Sequence, residues 1–220
     1  MIELAKIALL GGGLAVDGTT VGQFMLSRPI VAGPLCGLLV GDPASGLIIG
    51  VLLEIYLLVS FPSGGAQFPE GATATVVAVA AATASEAAGA LPIAVAVGLV
   101  WGHVGGVSIT EMRKINGRFA PEPFQANAGA SRVVSAHWGG IALDFVRGSV
   151  VTGVGVVVGR AVVSRAAAAW PLMNDESLGL LIVGAAVSAG ILLHDLGGFR
   201  KRRLLFGIGL ALGVLGGSLI

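Results

Sequence analysis

Eight apolar runs divide this 220-residue chain, at 4–16, 29–41, 46–61, 72–84, 88–109, 138–163, 178–195 and 204–220. A helix needs about 20 apolar residues to cross a bilayer. The runs at 88–109 and 138–163 reach that length; those at 29–41 and 72–84 do not. Short apolar runs broken by glycine and proline describe discontinuous helices or re-entrant hairpins. The stretch GPLCGLLVGDPASG, 33–46, carries two prolines and four glycines. Irregular backbone at membrane depth must be buried in protein or line a cavity. The N-terminal half is therefore expected to build the functional cavity.

Composition agrees. The chain is 55% hydrophobic and 11% charged, against about 25% charge in a soluble domain. That excludes an ordinary cytosolic enzyme and a disordered tail. Thirteen Lys+Arg against twelve Asp+Glu leave no basic excess for nucleic acid. One cysteine, Cys36, offers no disulfide framework and no metal spacing. The N-terminal Met1–Lys6 is followed by no small-residue cleavage site, so the first run is expected to stay as a membrane element.

Glycines recur four apart at Gly33/Gly37/Gly41, Gly46/Gly50, Gly102/Gly106, Gly155/Gly159 and Gly209/Gly213/Gly217. Such pairs share a helix face and let backbones approach. The C-terminal triple predicts a packed face, within the chain or between subunits.

Charge is unevenly placed. Residues 1–110 hold six acids and two bases; residues 111–220 hold six acids and eleven bases. One basic cluster (Arg113, Lys114, Arg118, Arg132) lies in a polar stretch, 111–137. Another is Arg200–Arg203. The positive-inside rule puts both in the cytoplasm, and the Trp170–Ser177 loop outside. The expected organisation is one membrane domain, 1–220. It comprises a cavity half at 1–110, a cytoplasmic polar loop at 111–137 and further helices at 138–220.

Ionisable groups at membrane depth are costly and are functional candidates. Glu54 sits inside the apolar run GLIIGVLLEIYLLVSF with no Lys or Arg within two helical turns. It must be paired, protonated or in a wet cavity. It can serve as a hydroxyl acceptor, a proton carrier or a helix-end cap. Asp17, in AVDGTT, suits a turn or a binding role. Gln23 and Arg28 follow. Arg28 is the only base between Lys6 and Arg113 and can pair with Asp17, Asp42 or Glu54, or simply mark a cytoplasmic edge. The polar stretch PSGGAQFPEG, 62–71, reads from composition first as a plain solvent loop; in a binding role, Gln67 offers donors and an acceptor to a polyhydroxylated ligand. Asp42 before Pro43 reads as a turn residue, and His103, His137 and His194 as loop-edge residues. Asp144 and Arg147, three apart, can pair with each other. No catalytic or metal motif appears, and Gly11-Gly12-Gly13 is not a nucleotide fingerprint. No cofactor is expected.

Residues 28–71 carry a more specific pattern. Arg28-Pro29, Gly41-Asp42, Ser45-Gly46, Gly50, Leu53-Glu54 and Gly65-Ala66-Gln67 with Pro69 stand in the order seen in one family. The stretch resembles the membrane IIC subunit of the mannose/fructose/sorbose class of bacterial phosphotransferase-system (PTS) permeases. The resemblance is close over a fifth of the chain and looser beyond. It implies a sugar-conducting subunit paired with a IID membrane subunit, as a trimer of IIC–IID pairs moving sugar by an elevator-like shift. Cytoplasmic IIA and IIB phosphocarriers would supply the phosphate chemistry. Glu54 and Gln67 are carried over as sugar contacts, Asp17 more loosely. Arg28 stands at the family's Arg-Pro, and Glu70 where members often carry Asn or Asp; both join the candidate site.

The expected molecule is thus an all-α, polytopic protein of the bacterial inner membrane, with re-entrant helices and glycine-rich packing, taking a hexose or amino sugar. It catalyses nothing alone. The rivals are a proton-coupled secondary transporter using Glu54, and a non-transporting scaffold or sensor.

Overall fold

Among the described residues, each apolar run is largely helical. The structure, a computed structural model, describes residues 1–58, 67–119 and 129–217. Its helices are α1 (Ile2–Thr19), α2 (Pro29–Val40), α3 (Pro43–Leu57), α4 (Gly71–Ala82), α5 (Ala90–Phe119), α6 (Ala130–Ala166), α7 (Asn174–Asp195) and α8 (Gly198–Gly217). Among the described residues there is no strand, and α5, α6 and α7 are long and apolar enough to cross a membrane. The expected polar loop is shorter than 111–137. Helix α5 runs on to Phe119 and α6 begins at Ala130; residues 120–128 lie outside the described set.

Helices α2 and α3 form a re-entrant hairpin whose turn is written in three residues. Gly41 closes α2 in the left-handed conformation (φ 87°), as glycine can without steric cost. Asp42 caps α3 by accepting from the Ser45 N–H at 3.0 Å, and Pro43 opens that helix, where its missing N–H costs nothing. With 12 and 15 residues, the two arms are about 18 and 22 Å long, shorter than the roughly 30 Å hydrocarbon core. Glycine spacing holds them together. A Cβ on Gly46 would stand 2.5 Å from the Gly33 carbonyl oxygen, and one on Gly50 equally close to that of Pro29. The arms touch backbone to backbone.

Helix α4 is the centre. It has no polar face to give to water or lipid, and residues 72–81 are all buried. It runs antiparallel to α5, where Gly98 and Gly102 pack on Ala74 and Ala78. Against α6 it runs parallel. Gly155 and Gly159 of α6 meet Val77, Trp101 and Ala81. On the other side of α6, α1 packs antiparallel through Gly11 and Gly12, with Gly148 facing Ala15. Lipid is as apolar as valine, so burial of α4 against protein gains little transfer energy. Close packing and polar bonds at the helix ends must hold it.

The glycine triple of α8 does not pack within the chain as described. No neighbour lies within 4 Å of a Cβ on Gly209 or Gly213, and 201–213 are exposed. The expectation of an intrachain face there is not met.

Candidate functional site

A cavity of about 400 Å³ opens where the end of α1, the loop 20–28, the end of α3 and the start of α4 converge. Asp17, Arg28, Glu54 and Glu70 all line it. Four of the five candidates are thus brought together from four separate segments. The fifth is not: Gln67 is exposed and lies off the cavity wall, although Phe68 and Pro69 reach it. Its companions Gly65 and Ala66 lie outside the described residues.

Each acid is held differently. Glu54 pairs with Arg28, 26 residues away, and its second oxygen accepts from the Ile30 N–H at a long 3.4 Å. Of the three acids open to Arg28, Glu54 is the one it takes. The pair is partly open, with Glu54 15% and Arg28 48% exposed. Asp17 is buried near the C-terminal end of α1. Its two oxygens accept from the Phe24 N–H (2.8 Å) and the Ser27 N–H (2.9 Å). These bonds shape the loop between α1 and α2, where Gly22, Gln23 and Met25 all take positive φ. A non-glycine residue adopts that region at a cost of about 1–3 kcal/mol. The loop's folding thereby puts Gln23 on the cavity wall. The glutamine that lines the cavity is Gln23, not Gln67.

Glu70 precedes α4 and anchors a buried network. Its carboxylate takes both Nη atoms of Arg147 (Oε1–Nη2 2.7 Å, Oε2–Nη1 2.9 Å) and the Thr73 hydroxyl (2.9 Å). Arg147 Nε donates to Asp144 (2.9 Å), and Nη1 also to the Ser108 hydroxyl (2.9 Å). The second oxygen of Asp144 accepts from Thr19 and, at 3.1 Å, from Thr20. Asp144 and Arg147 do pair, but they are not a closed unit: the pair reaches α4, α5 and α1. Removing one member of such a buried set costs about 3–5 kcal/mol.

At the far end of α4, Arg160 Nε donates to the Ala80 carbonyl at 3.0 Å, and its guanidinium meets Glu3. A cation there complements the helix C-terminus. Arg147 and Arg160 therefore hold α4 at its two ends, and neither was singled out by the sequence as a partner of that helix.

Residues 1–195 match the family model described as the PTS system sorbose-specific IIC component. The chain belongs to this family. It is an integral protein of the bacterial inner membrane. Curated relatives of this IIC chain include the sorbose-specific EIIC component of Lacticaseibacillus casei, 37% identical over 27% of this chain and 22% of that one. The mannose-specific EIIC component of Escherichia coli (strain K12) is 35% identical over 38% and 34%. The matched stretches thus span about a fifth to a third of those relatives. Two solved structures share the fold. One, titled a structure of membrane protein, superposes with a TM-score of 0.70 at 20% identity, covering 99% of this chain and 92% of that one. The other is the cryo-EM structure of the mannose transporter ManYZ with microcin E492, at a TM-score of 0.59 and 20% identity over 99% and 91%.

Proposed function

We propose that this IIC chain binds and translocates a hexose or amino sugar. It would work with a IID membrane subunit, in a trimer of IIC–IID pairs, and with IIA and IIB phosphocarriers in the cytoplasm. One observation carries the reading. Three carboxylates, an arginine and a glutamine from separate segments line one cavity of about 400 Å³ in a member of a sugar-permease family. Small-molecule sites span roughly 300–1,000 Å³ and pair apolar walls with a few converging polar groups. Leu57, Phe68 and Ile109 supply apolar wall here.

The acids differ in what they can offer a sugar. A carboxylate has about four acceptor positions. Glu54 spends one on Arg28 and one on a long backbone contact, so it is the leading hydroxyl acceptor. Asp17 keeps one position on each oxygen. Arg28 donates, and Gln23 donates and accepts. Gln67 stays in the proposal at the rim, one residue before the cavity wall. The Arg28 partner weighs against a proton-carrier role for Glu54, because one of its oxygens is already engaged in an ion pair.

The test is uptake of radiolabelled mannose, sorbose and N-acetylgalactosamine by cells expressing the chain with its adjacent phosphotransferase genes. Glu54→Gln should cut uptake of the transported sugar at least tenfold while co-purification with the second membrane subunit persists. Normal uptake by the variant sinks the site. Uptake that persists without phosphocarriers and collapses with an uncoupler sinks the phosphotransferase reading.

A further inference from the structure

Counting lone pairs at Glu70 isolates a role that no cavity-lining residue has. Oε2 already accepts twice, from Arg147 Nη1 and from Thr73. Oε1 accepts once, from Arg147 Nη2. Each carboxylate oxygen has two acceptor positions, so one position, on Oε1, is unspent in a residue that lines the cavity. Arg147 decides which one. Its fork fixes the carboxylate plane through two parallel bonds, a geometry that lysine's point charge cannot reproduce. The fork is itself fixed by Asp144 and Ser108. All three charged side chains are 8% exposed or less, so water does not compete for these bonds.

We infer that Arg147 is a positioning residue for the sugar site: it aims Glu70 so that one acceptor position of Oε1 faces the cavity. Arg147 does not line the cavity, and its effect reaches the sugar only through Glu70. The inference rests on the sugar-binding reading above.

A double-mutant cycle on uptake tests it, because residues acting through one contact are non-additive and independent ones are additive. The variants are Arg147→Lys, Glu70→Gln and both together, with Glu54→Gln as the control for the reading itself. Arg147→Lys keeps the buried charge and should fold. It is expected to raise KM for the transported sugar about tenfold, with maximal rate per folded protein within about twofold of the parent. Glu70→Gln should raise KM by a similar factor, and Arg147→Lys should then add nothing to it. A purely structural role predicts the opposite split: less folded protein, lower maximal rate and unchanged KM.

If Arg147→Lys does not accumulate, Ser108→Ala replaces it in the cycle. It removes an acceptor that fixes the Arg147 fork without altering charge, and its KM effect must likewise vanish in the Glu70→Gln background. The inference is overturned if KM is unchanged in Arg147→Lys or in Glu70→Gln, or if the effects multiply. With wild-type uptake and a Glu54→Gln defect intact, that result leaves the sugar site standing and removes Arg147 from it. No uptake of any of the three sugars by the wild type removes both.

Discussion

Glu70 and Arg147 stand 77 residues apart and meet in a bidentate ion pair with both side chains buried. The pair ties the N-terminal end of α4 to α6, and through Asp144 it reaches the end of α1. The cavity is bounded by that fixed framework on one side and by the α2–α3 hairpin on the other.

The hairpin depends on missing side chains. Gly46→Leu should destabilise the protein by about 1–3 kcal/mol or prevent hairpin closure, because the new Cβ would stand 2.5 Å from the Gly33 carbonyl. Thermal unfolding in detergent measures it. Gly13→Ala, with open space around its Cβ, should leave the melting temperature unchanged.

The loop at 20–28 depends on Asp17. Asp17→Ala removes both acceptors for the Phe24 and Ser27 N–H groups and should cost about 1–3 kcal/mol locally. Faster hydrogen exchange at residues 22–28, with α5 and α6 unchanged, is the expected signature. Retained protection would show that the loop is held by other means.

The two glutamines separate cleanly. Gln23→Ala should raise the KM of sugar uptake about tenfold, whereas Gln67→Ala should change it by no more than about twofold. The reverse order would mean that the working cavity is lined differently from the one described.

At the C-terminal end of α4, Arg160 should matter more than its acidic partner. Glu3 is half exposed, and exposed pairs contribute about 0–1 kcal/mol. Arg160 also bonds the Ala80 carbonyl. Arg160→Gln should therefore lower stability by about 1–2 kcal/mol and Glu3→Gln by under about 0.5 kcal/mol.

Cys36 reports on all of these. It is fully buried on α2, its thiol directed at the Val76 carbonyl of α4. Maleimide labelling should be slow in the intact protein and accelerate with the local opening produced by Gly46→Leu. Fast labelling of the wild type would contradict the packing of α2 on α4.

Much of this was legible in residues 28–71. The short runs, the Gly41-Asp42-Pro43 turn and the glycine faces at 33–50 foretell the hairpin, because local backbone chemistry fixes them. Glu54 was visible as a charge without a local base, Asp17 and Arg28 as charges among apolar runs, and Glu70 only through the family pattern. What sequence spacing could not supply was the partner. Asp144 and Arg147 satisfy each other at i and i+3, which hides the reach of Arg147 to Glu70. Gln67 stood beside a recognisable motif, whereas the loop conformation puts Gln23 on the cavity wall. One signal was available: the first half has too many acids and the second too many bases. Arg147–Glu70 and Arg160–Glu3 both cross between the halves.

That crossing imposes an order on the birth of the protein. At roughly 5–20 residues per second, the ribosome needs about 4–15 seconds to add Arg147 after Glu70. During that interval α4 has neither its counter-charge nor the α6 face that covers it. A nascent chain halted before Arg147 would carry an acid-tipped segment about 18 Å long that the bilayer cannot accept as a span. Until α6 emerges, only α1, α2, α3 and α5 can cover α4, so its burial is completed late in synthesis.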